Sequence, residues 1–291
     1  MEHASVGWLL NIGVSMALSI AILALVSLGL AVMFGMMGII NLAHGEFLMF
    51  GAYVTLTLTR LHTPLWLAIP LAGLVVGVLG YAVERLLIRF LYGRLADSML
   101  ATWGLSLIMA QMTVLAFGPS TQGISTPLGS LSIDGYSFSL YAFVLIGCAV
   151  LLMALVYLMF TRTRYGVMAR AAVQNPGMAA AVGINPRKLN ALNFAFGAAL
   201  AGWAGGLLAP MVGVMPSMGE AYIARAFMTV IVGGPGIITG TASSSLLLGG
   251  IENVVSYLST PFFGQGALLI VAIIAVRLLP TGISGRWQRQ L

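Results

Sequence analysis

Only 7% of this 291-residue chain is charged, so the side chains able to do chemistry are few. Asn41, His44 and Glu46 fall together in NLAHGEF, with Gly45 between the last two. An imidazole and a carboxylate that close could relay protons, contact a cargo or line a gate. They could equally serve a broken helix: Glu46 would cap the helix that follows, and Asn41 and His44 would hold backbone groups freed by the break. Glu252 and Asn253 lie in LLLGGIENVVSYL, where they either line a pathway or bond between helices. Glu220 and Arg225 occur in a short polar connection and read as a pair at an outer rim. Ionisable groups at membrane depth cost on the order of a few kcal/mol, which makes each a functional candidate.

None of these residues forms a nucleophile–base set. Three scattered histidines and one cysteine give no metal-ligand spacing, and Cys148 sits inside the apolar run Tyr141 to Phe160 as a small packed side chain. No GxxxxGK[ST] loop is present, so any ATP must be hydrolysed by another chain. The expectation is a non-catalytic protein with no cofactor and no metal. The net charge of +6 does not point to nucleic acid, because the basic residues stand at the ends of apolar blocks.

The elements that must position these residues are membrane helices. Hydrophobic residues make up 60% of the chain and mean hydropathy is +1.03, in many blocks of helical length. The expected fold is an all-α polytopic membrane protein, a single domain over residues 1–291 with about eight to ten transmembrane helices, some of them broken. Clear spans are Leu65 to Glu84, Met99 to Phe117, Tyr141 to Phe160, Ala191 to Val212 and Ala267 to Leu279. Val6 to Leu61 and Ala226 to Leu258 each exceed one span and are interrupted by glycine, the second at Val232-Gly233-Gly234-Pro235-Gly236. Two such segments in the two halves point to an internal repeat, as does the likeness between His44-Gly45-Glu46-Phe47 and Met218-Gly219-Glu220-Ala221-Tyr222. A pathway would run between the broken segments, with Asn41, His44, Gly45, Glu46, Gly233, Gly234, Glu252 and Asn253 as its candidates. Gly202, Gly205 and Gly206 read as close helix packing.

Lys/Arg bias sets the orientation. The connections at Arg85-Arg89-Arg94, at Arg162 to Lys188 and at Arg277-Arg286-Arg289 are expected to be cytoplasmic; Gly118 to Ser139 and Ser259 to Gly266 have no Lys or Arg and should lie outside. The segment from about 161 to 190 differs in kind. It holds five of the thirteen Lys/Arg residues and no acid. Met168 to Val173 and Gly177 to Val182 are short helix formers, divided by Asn175-Pro176 and ended by Gly183 and Asn185-Pro186. Their Ala, Gly and Asn content suits a helix seated in a protein groove better than one sunk in lipid headgroups.

GLAVMFGMMGIINLAHGEFLMFGAY (Gly29 to Tyr53), the loop from Arg164 to Lys188 and TVIVGGPGIITGTASSSLLLGGIENV (Thr229 to Val254) resemble the permease subunits of ATP-binding-cassette importers for branched-chain amino acids. The resemblance runs over nearly the whole chain. It implies residence in a bacterial inner membrane and a second permease, the same chain or a related one. It also implies two cytoplasmic ATPase subunits and a periplasmic binding protein that delivers the cargo. The coupling element facing the ATPase would then include Arg164, Arg170, Asn175, Pro176, Ala179, Ala180, Gly183, Arg187 and Lys188. Leu100-Ala101-Thr102-Trp103-Gly104-Leu105-Ser106-Leu107 is similar to the sister branch of urea and short-chain amide permeases, which keeps those cargoes as an alternative. An ion-coupled secondary transporter, with Glu46, His44 and Glu252 as carriers, has no use for such a loop.

Overall fold

The computed structural model describes residues 6–133 and 135–288. Its helices are α1 Val6–Met37, α2 His44–Arg60, α3 Leu65–Leu86, α4 Leu95–Phe117, α5 Leu140–Arg162, α6 Arg164–Gln174, α7 Pro176–Ala181, α8 Pro186–Val212, α9 Met218–Gly233, α10 Ile237–Leu258, α11 Pro261–Leu278 and α12 Gly282–Gln288. A single 3-10 turn, Ile88–Phe90, follows α3. The only strands among the described residues are β1 Ser130–Ile133 and β2 Tyr136–Ser139, an antiparallel hairpin in the connection without Lys or Arg.

Six helices are long and apolar enough to cross a membrane: α1, α3, α4, α5, α8 and α11, some extended by a neighbouring turn. The pair α9 and α10, bent by 116° at Gly234–Gly236, makes a seventh if taken as one span. The difference from the expected eight to ten lies in the two arms of that pair and in α2, whose 17 residues extend only about 25 Å.

Helix α8 is the centre, packed against α1, α2 and α3. It can be central because its inward positions are small, so backbones come close. A Cβ added at Gly29 would overlap the Gly197 carbonyl, one at Gly51 that of Gly202, and one at Gly205 that of Leu48. Close backbone approach is the packing force available where lipid removes the hydrophobic drive between helices. Helices α4, α5 and α11 lie at the periphery with long apolar side chains turned outward, among them Leu115 and Val150.

The order of elements repeats. Long α1, a break, short α2 and then α3 are matched by long α8, a break, short α9 and then α10. The packing repeats with it: α3 lies on α8 and α10 on α1, while α2 lies on α8 and α9 on α1. The likeness between His44-Gly45-Glu46 and Met218-Gly219-Glu220 therefore falls on equivalent positions, the first turns of α2 and α9. The turn at Gly233 to Gly236 corresponds to the α2–α3 connection. The counterpart of the break before His44 is residues 213–217.

Arg85, Arg89, Arg94, Arg162 to Lys188 and Arg277 gather at one end of the bundle, with the α1 end at Met37, the α9–α10 turn and α12. Arg289 of the expected basic tail lies outside the described residues. At the opposite end Gln122 and Val214 join the 118–139 connection to the end of α8 by paired backbone bonds of 2.8 and 2.7 Å.

Candidate functional site

The break before α2 brings Asn41, His44 and Glu46 to the middle of the bundle. Asn41 Oδ1 accepts from the Ala43 N–H at 3.1 Å, and Thr102 Oγ1 accepts from the Leu42 N–H at 3.1 Å. The His44 ring, fully buried, places Nε2 3.1 Å from the Val26 carbonyl of α1. Asn41 and Thr102 thus satisfy backbone N–H groups freed at the break, whereas His44 bonds a carbonyl in the middle of continuous α1. Glu46, 2% exposed, accepts from Ser106 Oγ of α4 at 3.1 Å through Oε1, while Oε2 has no hydrogen-bond partner. It makes no side-chain cap to α2.

Helices α2 and α9 start face to face here. A Cβ on Gly45 would lie 2.8 Å from the Gly219 carbonyl carbon, and one on Gly219 would lie 2.8 Å from the Glu46 carboxylate. Each helix carries an acid in its first turn, Glu46 in α2 and Glu220 in α9. Two positive helix ends thus converge with two carboxylates beside them.

Glu220 and Arg225 do not pair with each other. Arg225 reaches across to α10, where Nη1 lies 3.0 Å from Glu252 Oε1, and it also stacks over the Tyr222 ring at 5.0 Å. Five positions along a helix point the two side chains to different faces, whereas α10 returns beside α9 and supplies the partner. Asn253 Nδ2 donates to Ser19 Oγ of α1 at 3.4 Å. Glu252 and Asn253 thus each make a bond between helices.

The glycines of the second break hold a turn. Gly234 has φ +80° and lies against the backbone of Thr281 and Gly282. Ser284 Oγ donates to the Gly233 carbonyl at 2.7 Å and accepts from the Gly236 N–H at 2.8 Å.

At the basic end the segment after α5 folds as its punctuation dictates. Thr163, Asn175 and Asn185 cap α6, α7 and α8, accepting from the backbone of Gly166, Met178 and Lys188. Gly183, at φ +87°, closes α7, with the Ile184 N–H bonded to the Ala179 carbonyl at 3.0 Å. Ala172, Ala179 and Leu189 form a small core that fixes the pair to α8. Ala179 is thus turned inward and is not available to a partner. Arg170 folds back to donate to the Phe160 carbonyl at the end of α5. Tyr165 donates to Asn193 Oδ1 at 2.6 Å, and burial pushes its hydroxyl up to about 12. Arg164, Asn175, Pro176, Ala180, Gly183, Arg187 and Lys188 are exposed, along with the apolar Val173, Met178 and Val182.

Sequence reasoning missed Thr102 and Ser106 as partners of the break, and Ser284 as the latch of the turn. The signal for the first two was present: Ser98, Thr102 and Ser106 recur every four residues along one face of a largely apolar helix. Ser284 lies 48 positions from Gly236 and carries no local signal.

The sequence model of the branched-chain amino acid transport system permease component matches residues 12–277. The chain belongs to this family. A probable branched-chain amino acid transport permease protein, LivH, of Methanocaldococcus jannaschii is 30% identical over 91% of this chain and 89% of its own. BraD of Pseudomonas aeruginosa and LivH of Escherichia coli K12, each described as a high-affinity branched-chain amino acid transport system permease protein, are both 31% identical over 90% of this chain and 91% of their own. No solved structure matches.

As a permease of this family, the chain carries its most distinctive sequence where helices are most constrained. Gly29 to Tyr53 spans the end of α1, the central break and α2, and Thr229 to Val254 spans the α9–α10 turn. An apolar cavity of about 330 Å³ lies between α2 and α4, walled by Phe50, Tyr53, Val54 and Met112 among others. Among the described residues no group of three or more His, Cys, Asp or Glu is placed to hold a metal ion.

Proposed function

We propose that the chain is the translocating subunit of an ATP-driven importer for branched-chain or related amino acids, and that α6 and α7 are where an ATPase subunit engages it. The carrying observation is the surface of that pair. Val173, Met178 and Val182 are exposed on a polar, acid-free segment that its own small core and three helix caps hold in place, with Met178 64% and Val182 71% exposed. Apolar side chains presented on a fixed base, in a segment that also exposes Arg164, Arg187 and Lys188, form a docking surface for a protein groove with acidic residues.

The cargo assignment follows the names of the relatives. No observation favours urea or short-chain amides: of the LATWGLSL run, Leu100, Trp103 and Leu107 face outward from α4, and Thr102 and Ser106 are taken up by bonds to Leu42 and Glu46. In this reading the chain does no chemistry, and a binding protein delivers cargo at the end opposite the arginines. Asn41, His44, Gly45 and Glu46 act as the gate, where α2 and α9 meet and must part for passage. Gly233 and Gly234 act as the hinge of α9–α10.

The test is a pair of exposed substitutions, Met178→Asp and Val182→Asp, in the permease reconstituted with its ATPase. Both should insert and fold as wild type. Each should weaken ATPase association about tenfold or more, the cost of burying an unpaired carboxylate in an interface, and uptake should fall with it. Association and uptake at wild-type level in both variants would refute the assignment of α6–α7.

A further inference from the structure

At the basic end, α3, the 3-10 turn after it and the start of α8 enclose a polar cavity of about 350 Å³ lined by Glu84, Arg85, Arg89, Phe90, Tyr92 and Arg187. Three guanidinium groups face one carboxylate there. That carboxylate is turned inward: Glu84 is 1% exposed, accepts from the Tyr92 hydroxyl, and comes only to 4.0 Å from Arg85 Nε. Arg85 donates through Nε and Nη2 to Tyr81 at 3.2 and 3.0 Å, and the Arg89 guanidinium lies 4.4 Å over the Phe90 ring. Among the described residues no carboxylate lies within 4.0 Å of Arg89 or Arg187. The cavity therefore holds positive charge that this chain does not neutralise.

Its position says what kind of anion would enter. Arg85 is in the last turn of α3, Arg89 just beyond it, and Arg187 in the first turn of α8, so all three stand at the ends of membrane-length helices. The outward face of α3 carries Leu74, Val75 and Val78 and runs on to Leu86, 77% exposed, and to Phe90, 65% exposed and part of the cavity wall. An apolar stripe that ends in unmatched arginines has the profile of acyl chains below a charged headgroup.

We propose that this cavity binds the phosphate headgroup of an anionic phospholipid from the leaflet at the basic end, with the acyl chains lying along the α3 stripe. Arg187 follows α7 closely in the chain, so headgroup occupancy would also brace the start of α8 and the segment before it. The proposal does not depend on which cargo is carried.

Full-length permease, delipidated in detergent, is titrated with phosphatidylglycerol and phosphatidylcholine and followed by native mass spectrometry. Wild type should prefer phosphatidylglycerol by about tenfold or more, a preference that grows with the number of arginines near the headgroup. Arg89→Gln and Arg187→Gln should each reduce it, and the double variant should bring the two lipids near parity. Arg162→Gln with Arg164→Gln, which removes equal charge elsewhere at the same end, should keep it. Equal binding of both lipids by wild type, or an undiminished preference in the double variant, overturns the proposal. So does displacement of bound lipid by millimolar inorganic phosphate, which would mark a free-anion site. Loss of ATPase association in the double variant with lipid binding unchanged would assign the arginines to the protein partner instead.

Discussion

Substituting Gly45 by alanine tests whether the meeting of α2 and α9 is a limiting contact. The added Cβ would lie 2.8 Å from the Gly219 carbonyl carbon and 3.1 Å from its Cα, where carbon atoms rest at about 3.5 Å or more. The obstacle is backbone, so no rotamer change relieves it, and overfilling of this kind costs about 1–3 kcal/mol. Gly147→Ala on α5 is the reference, since nothing lies within 4 Å of its Cβ position. Both changes carry a helix-propensity gain of up to about 1 kcal/mol, which largely cancels in the comparison. A difference of 1–3 kcal/mol corresponds to about 2–5 °C in Tm for a chain of this size. Gly219→Ala should fall between the two, because its Cβ meets the Glu46 carboxylate, a side chain that can shift. The measurement is thermal unfolding of the purified protein, followed by tryptophan fluorescence. Gly45→Ala unfolding within about 1 °C of Gly147→Ala would refute the reasoning.

Arg225→Ala should destabilise the fold by about 3 kcal/mol by leaving Glu252 unpaired, while Arg225→Leu combined with Glu252→Leu should recover most of the loss; a double variant no better than the single one would mean the pair is not coupled. Single cysteines at Ser120 and Ser130, both exposed, should react with impermeant maleimide outside intact cells in a Cys148→Ala background, and reaction only after the membrane is opened would reverse the topology. Glu46→Gln should keep substantial uptake in liposomes that enclose ATP and lack an ion gradient; accumulation driven by a proton or sodium gradient without ATP would instead make the chain a secondary transporter.

How far the sequence carried depends on the distance over which each feature is encoded. In the α6–α7 segment α7 was legible to within a residue, because Asn175, Gly183 and Asn185 act within a few positions of themselves, while α6 begins at Arg164, four residues before the expected Met168, on the unread cap Thr163. The five clear spans were legible from hydropathy alone. Pairing was not. Arg225 bonds a residue 27 positions away and Ser284 one 48 positions away, choices made by the return of α10 and the docking of α12. The six or seven helices that meet the length and hydropathy of a span are fewer than the apolar blocks suggest, because α2 is 17 residues long and begins inside the bundle.

That starting point also accounts for the acids in the first turns of α2 and α9. Helices α2 and α9 begin at the same depth and head for opposite ends, so their positive ends, each equivalent to about half an elementary charge, face each other across Gly45 and Gly219. Left alone, two such ends in a low-dielectric interior repel. Glu46 and Glu220 stand in the first turns of these two helices, where a carboxylate opposes that field most effectively. Glutamine at position 46 keeps the Ser106 bond and loses only the charge, so it should weaken the contact by about 0.3–2 kcal/mol without abolishing the fold. If α2 and α9 part for passage as proposed, a contact of glycine backbones between mutually repelling helix ends opens without dismantling a core.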